Sequence, residues 1–196
     1  MKTSWIALSV STLVVLGGCA NQDIRQAEAA GAPDLEAAST FLEALATDVE
    51  GVESKVVGLA EALTAEQYNW RPGDGVLSAG EVFMHIAAYN YYYPSLAGAE
   101  IPAGVGVTSD YGTVSTFEAS RTDRGEIIAA VTASFEHLGE AVGRASGADL
   151  DAEVMVFGSP SSAQEAWYGT MTHLHEHLGQ LIAYARTNGV VPPWSM

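Results

Sequence analysis

Between Leu35 and Leu63 apolar residues recur three or four positions apart: Leu35, Ala38, Leu42, Leu45, Val49, Val52, Val56 and Leu59. That spacing lines one stripe of a helix that turns about 100° per residue. Asp34 stands ahead of it as a cap, and Gly51 and Gly58 weaken it and allow a bend. Ser78-Ala79-Gly80-Glu81 has the form of a capping box and opens a second helix to about Tyr93, with Pro94 beyond it. Val82, Phe83, Ile86, Asn90 and Tyr93 mark its inward side. Asp123 and Glu126 start a third helix, to about Ala145, carrying Ile127, Val131, Phe135, Leu138 and Val142. Ser162-Ala163-Gln164-Glu165 is a further capping box. The helix behind it carries Trp167, Met171, Leu174, Leu178, Leu181 and Ala185 and ends near Asn188, with Gly189 as its C′ residue.

The pattern predicts an all-α fold, a four-helix bundle. Two segments break it. Glu153 to Phe157 reads as a short strand or extended piece. Pro94 to Arg121, rich in Gly, Pro, Ser and Thr, is too long for an ordinary connection and predicts a long crossover between helices 2 and 3. No internal repeat is present.

Acidic residues number 24 against 8 basic ones, for a formal charge of −16. Such a surface repels phosphate backbones, which excludes nucleic acid as an expected partner. Otherwise the charge speaks for solubility and names no partner. A single cysteine, Cys19, excludes an internal disulfide. Around it the chain reads MKTSWIALSVSTLVVLGGCANQ: one lysine, an apolar run from Ile6 to Leu16, then small residues. The run is short for a bilayer span and suits a secretory signal. Leu16-Gly17-Gly18-Cys19 resembles the lipobox of bacterial lipoproteins. That resemblance implies lipidation at Cys19 and cleavage before it. It divides the chain into a signal peptide 1–18, a flexible tether 19–33 and a bundle domain 34–196, placed in the cell envelope on a bacterial membrane and facing away from the cytoplasm.

His173, His175 and His177 crowd into five positions of the fourth helix. His173 and His177 are one turn apart on one flank of the apolar stripe, whereas His175 points about 160° away from His177. The pair can share an ion; His175 belongs in solvent. Alone, an i, i+4 pair is a weak signal, and a catalytic site needs a third ligand. His85, on the flank of the second helix, is the candidate. His137, beside Leu138 in an ordinary amphipathic helix, reads as surface.

Three blocks carry a family resemblance: the Trp70-Arg71-Pro72 loop, the capped helix with His85-Ile86-Ala87, and His173-x-x-x-His177-x-Gly179-Gln180 followed by Tyr184-x-Arg186-x-x-Gly189. From about Asp34 to Pro193 the chain resembles the DinB-like superfamily, including its YfiT-type members. The resemblance implies a four-helix bundle with the long crossover, and a divalent metal held by His85, His173 and His177. Many relatives read H-H-R-G-Q where this chain has Glu176-His177-Leu178-Gly179-Gln180, so any task of that arginine is lost here.

Three neutral imidazoles leave a coordination position open, and nitrogen ligands suit zinc or nickel. Glu81, one turn before His85, is a candidate to accept a bond from a ligand histidine or to act as a base, although its capping box already accounts for it. Tyr89 and Tyr92 are candidates for a pocket lining, and Gln180 for orienting a ligand or tying down the crossover. The crossover, starting two turns past His85, is expected to close over the site. Relatives described as metal-dependent hydrolases and as thiol S-transferases set the expected activity: a hydrolase-like metal enzyme of unknown substrate first, a non-catalytic metal or small-ligand carrier second, thiol transfer third. Low-molecular-weight thiols are cytosolic, which counts against the last. The remaining expected partners are membrane lipid through Cys19, a small-molecule substrate and a second copy of the chain as a homodimer.

Overall fold

A computed structural model describes residues 35–195. The signal peptide, the tether, Cys19 and the Asp34 cap lie outside the described residues.

Four long helices make the bundle: α1 (Leu35–Ala62), α3 (Ala79–Leu96), α5 (Arg124–Arg144) and α6 (Ala163–Thr187). A one-turn helix, α2 (Ala65–Tyr68), follows α1, and α4 (Gly112–Glu118) lies in the crossover. A hairpin of β1 (Glu153–Val156) and β2 (Ser159–Ser162) precedes α6. No helix among the described residues is long and apolar enough to cross a membrane.

The expected caps form. Ser78 and Ser162 each accept from the backbone N–H three residues on, and Glu81 and Glu165 return the bond. Asp123 accepts from the N–H groups of Gly125 and Glu126. At the far end of α1, the Arg124 guanidinium donates to the carbonyls of Leu63 and Glu61, which the helix leaves unpaired. Leu45, Val49, Val52, Val56 and Leu59 of the first stripe are fully buried against Phe83, Phe135, Leu138, Leu174 and Leu181.

Point contacts fix the directions. Gly80 meets Ile127 and Asn90 donates to Ser134, so α3 and α5 run parallel. Tyr93 packs on Gly169, while Tyr184 near the other end of α6 donates to the carbonyl of Leu77, so α3 and α6 are antiparallel. α1 runs parallel to α6: Asp48 of α1 pairs with His175, and Gln67 of α2, just past the end of α1, donates to the carbonyl of Asn188, just past the end of α6; α1 is antiparallel to α5. The parallel pair α3 and α5 is what the long crossover makes possible.

Three elements differ from expectation. α3 runs through Pro94 to Leu96. Proline removes one N–H from the ladder, but its ring is buried in the bundle with Tyr91 and Tyr92, and packing outweighs the lost bond. The crossover contains a two-turn helix, α4, whose Val114 and Phe117 reach the core. Phe157 is a turn residue beyond β1: with Gly158 it makes a two-residue hairpin turn in which both φ angles are positive, 49° and 80°.

Candidate metal centre

α3 and α6, antiparallel neighbours, bring His85 against His173 and His177. One ligand nitrogen from each ring lies within 4.8 Å of the other two. The Nε2 atoms of His85 and His173 are 3.0 Å apart, and the ring centroids are 4.4–4.9 Å apart. All three histidines are half-buried.

Hydrogen bonds on the outer nitrogens set which atom faces inward. Glu118 of α4 accepts from His85 Nδ1 at 2.5 Å. A carboxylate only accepts, so Nδ1 carries a proton, and in the neutral ring Nε2 is then the nitrogen with the lone pair. His177 is oriented by a longer chain. Tyr184 donates its hydroxyl proton to the Leu77 carbonyl, so it accepts from Gln180 Nε2 at 2.8 Å. That leaves Gln180 Oε1 to accept from His177 Nδ1, at 2.8 Å, and His177 Nε2 free to ligate. Such outer partners are what metal-binding histidines ordinarily have.

Burial, with the neighbouring imidazoles of His177 and His85 adding to it, pushes His173 down to about 2. Burial likewise lowers His177. Both are neutral at physiological pH, the form that offers a lone pair. Two nitrogens sharing a tetrahedral zinc at 2.0–2.1 Å stand about 3.3 Å apart, close to the 3.0 Å separation of the His85 and His173 Nε2 atoms. The three residues supply a donor set that fits a divalent ion.

Tyr89 lies against the cluster, its ring stacked on His173 at 4.4 Å and 4.5 Å from His85. Its hydroxyl pairs with that of Tyr111 at 3.0 Å. Burial raises the Tyr89 phenol well above its ordinary value, so it keeps its proton. Tyr92 stands one ring farther out, 5.9 Å from Tyr89.

Glu81 is not in this shell. Its carboxylate takes the Ser78 N–H at 2.6 Å and pairs with Arg71 at 3.1 Å. The backbone N–H of Ser78, more than Arg71, holds it below the usual carboxylate range. Glu118 does for His85 what Glu81 was a candidate to do. Glu118 sits in a segment with no helical periodicity to place it, 33 residues from its partner. Gln180 orients His177 and has no hydrogen bond to the crossover. The crossover itself divides. Tyr111 and Glu118 from its second half reach the centre, while its first half, from Ser95 to Ser109, lines a separate cavity of about 610 Å³ with none of the three histidines in its wall.

His175 stays outside, half exposed, paired with Asp48 of α1 at 2.9 Å. His137 also stays outside, but it is buried, not on the surface: it is 5% exposed and lies 4.9 Å from the Tyr91 ring. α5 packs on both α1 and α3, so Ala130, Ser134, His137 and Ala141 widen its buried arc to about 160° of the helical wheel. Leu178 is part of the core.

A sequence model of the DinB superfamily matches residues 48–181, about two thirds of the chain. The chain belongs to the DinB superfamily. Among solved structures, a DinB-like protein from Bacillus cereus superposes with a TM-score of 0.61 at 21% identity, covering 78% of this chain and 93% of its own. The DinB-like protein YjoA of Bacillus subtilis gives a TM-score of 0.58 at 20% identity, covering 75% and 92%. At these identities the likeness extends to the fold. No curated protein matches the chain. In DinB terms, the Trp70 loop and Tyr184 are in contact, with ring centroids 5.1 Å apart, and both belong to the scaffold behind His177.

Proposed function

We propose that this DinB protein holds one divalent transition ion, zinc or nickel, on His85, His173 and His177, and that it is a metal-dependent enzyme of the hydrolase kind. The observation that carries the reading is the cluster with its outer bonds: three ligand nitrogens within 4.8 Å, two of the rings oriented by Glu118 and Gln180. An ion so held would supply Lewis acidity, lowering the pKa of a water molecule or polarising a carbonyl oxygen. Glu118 keeps the proton on Nδ1 of His85, and Gln180 keeps it on Nδ1 of His177. The Tyr89 ring shields His173 from water, and its phenol remains a hydrogen-bond donor.

Leu16-Gly17-Gly18-Cys19 supports a lipoprotein: signal 1–18, Cys19 lipidated, tether 19–33, and the bundle in the envelope. A second reading, a carrier that holds an ion or small ligand without turnover, draws on the acids nearby: Glu81 is committed to Ser78 and Arg71, and Glu118 to His85. Thiol transfer ranks third, since an envelope domain stands apart from cytosolic thiols. A panel of esters, amides and thiols, run on chelated and reloaded protein lacking residues 1–18, separates the three. Metal-dependent cleavage of an ester or amide supports the hydrolase, thiol consumption the transferase, and bound metal with no turnover the carrier.

A further inference from the structure

The hairpin tip carries a residue that folding alone does not account for. The Phe157-Gly158 turn needs positive φ at both positions, and among residues with a side chain asparagine adopts the first most cheaply. A bulky residue at φ 49° is strained there. Yet the chain has phenylalanine, and the residue is 55% exposed to water. Tyr111, from the crossover, is equally exposed at 54%.

These two rings meet. Their centroids are 6.0 Å apart, and Phe157 also lies 6.0 Å from Tyr92 and 5.8 Å from Tyr93. Tyr93 in turn lies 5.5 Å from His173, and Tyr111 is bonded to Tyr89, which stacks on that same histidine. Three separate parts of the chain, α3, the crossover and the hairpin, thus contribute to one aromatic wall that begins at the histidines and ends at the surface. His177 is held by a polar chain through Gln180 and Tyr184, with the Trp70 ring packed on Tyr184. The aromatic wall offers ring faces continuous with the centre.

We infer that this wall is the substrate-specificity surface of the metal site: it takes a flat, apolar group of a small molecule whose polar end binds the ion. This rests on the metal-site reading above. Exposed aromatic area is unfavourable in water and becomes favourable once a flat apolar group covers it. That is consistent with a strained, exposed Phe157 held beside three tyrosines.

The test uses two probes that chelate through the same atoms, acetohydroxamic acid and benzohydroxamic acid, titrated calorimetrically into zinc-loaded protein lacking residues 1–18, with zinc content measured in parallel. The wall predicts at least about tenfold tighter binding of the phenyl probe, the scale expected for partial burial of a ring. Phe157→Asn, which suits the turn, should keep or raise the melting temperature, leave zinc content and acetohydroxamate affinity unchanged, and cut the ratio to below about threefold. Tyr111→Ala, in a different segment, should also cut it. Equal affinity for the two probes in zinc-loaded wild type overturns the wall while leaving the metal site standing. An unchanged ratio in both variants overturns it as well. Protein that takes up no zinc removes the metal site and the wall together.

Discussion

Removing the Glu118 carboxylate tests whether the crossover supports the metal site. Glu118→Ala leaves His85 Nδ1 without its acceptor, so nothing selects the tautomer that turns Nε2 inward. Outer partners of this kind are ordinarily worth about 10- to 100-fold in metal affinity. Here the two side chains are 20% and 29% exposed, so water replaces part of the lost bond. That places Glu118→Ala in the lower part of the range, about 10- to 30-fold weaker for zinc, or about 1.4–2 kcal/mol. Glu118→Gln keeps an acceptor oxygen without its charge and should lose about threefold, since a neutral hydrogen bond is roughly half as strong as a charge-assisted one. Competition against a chromophoric chelator reads these affinities directly. The metal-free proteins should melt within a few degrees of one another, because the bond joins partly exposed groups at the edge of the bundle. If Glu118→Ala binds zinc within a factor of two of wild type, the tautomer argument is wrong.

Three other outcomes follow from different parts of the chain. Gly169→Ala puts a Cβ 2.9 Å from Tyr93 Cε1 and should destabilise by about 1 kcal/mol in urea unfolding, the clash outweighing the helix-propensity gain of alanine; a stabilised variant would mean that Tyr93 yields freely. Burial lowers the pKa of His137 from 6.5, so the unfolded chain binds the proton first: stability is complete above about pH 6.5 and falls as pH drops below it. His137→Phe should therefore flatten the acid limb of the stability profile of metal-free protein by up to about 1.4 kcal/mol per pH unit, and an unaltered slope would contradict neutral burial. Cys19→Ser should abolish labelling by a lipid precursor and release the protein from membranes; undiminished labelling refutes the lipobox reading.

Much of this architecture is legible in the sequence because it is local. Ser78, Asp123 and Ser162, each with a glutamate three residues on, mark helix starts immediately ahead of the first helical residue, and the stripe Leu45 to Leu59 needs only a helical period to be seen. His173 and His177 pair by the same arithmetic, which also sends His175 away. What stayed hidden depends on tertiary neighbours. Glu118 sits in a segment without a pattern and reaches His85 only because α4 folds against α3. His137 lies at the edge of an apolar stripe that serves one neighbour, and α5 has two. Phe157 reads as the end of a strand; its role as a turn residue depends on the pairing of β1 with the polar Ser159–Ser162, which has no strand signature of its own.

Metal content is the most direct test of the account. Protein lacking residues 1–18, freed of metal and dialysed against zinc or nickel, should return one ion per chain by elemental mass spectrometry. His85→Ala, His173→Ala and His177→Ala should each lower that value sharply, because two imidazoles leave the ion under-coordinated. His175→Ala, whose ring bonds to Asp48, should retain it. Wild-type protein that takes up neither ion, or a loss of binding in His175→Ala alone, would contradict the assignment.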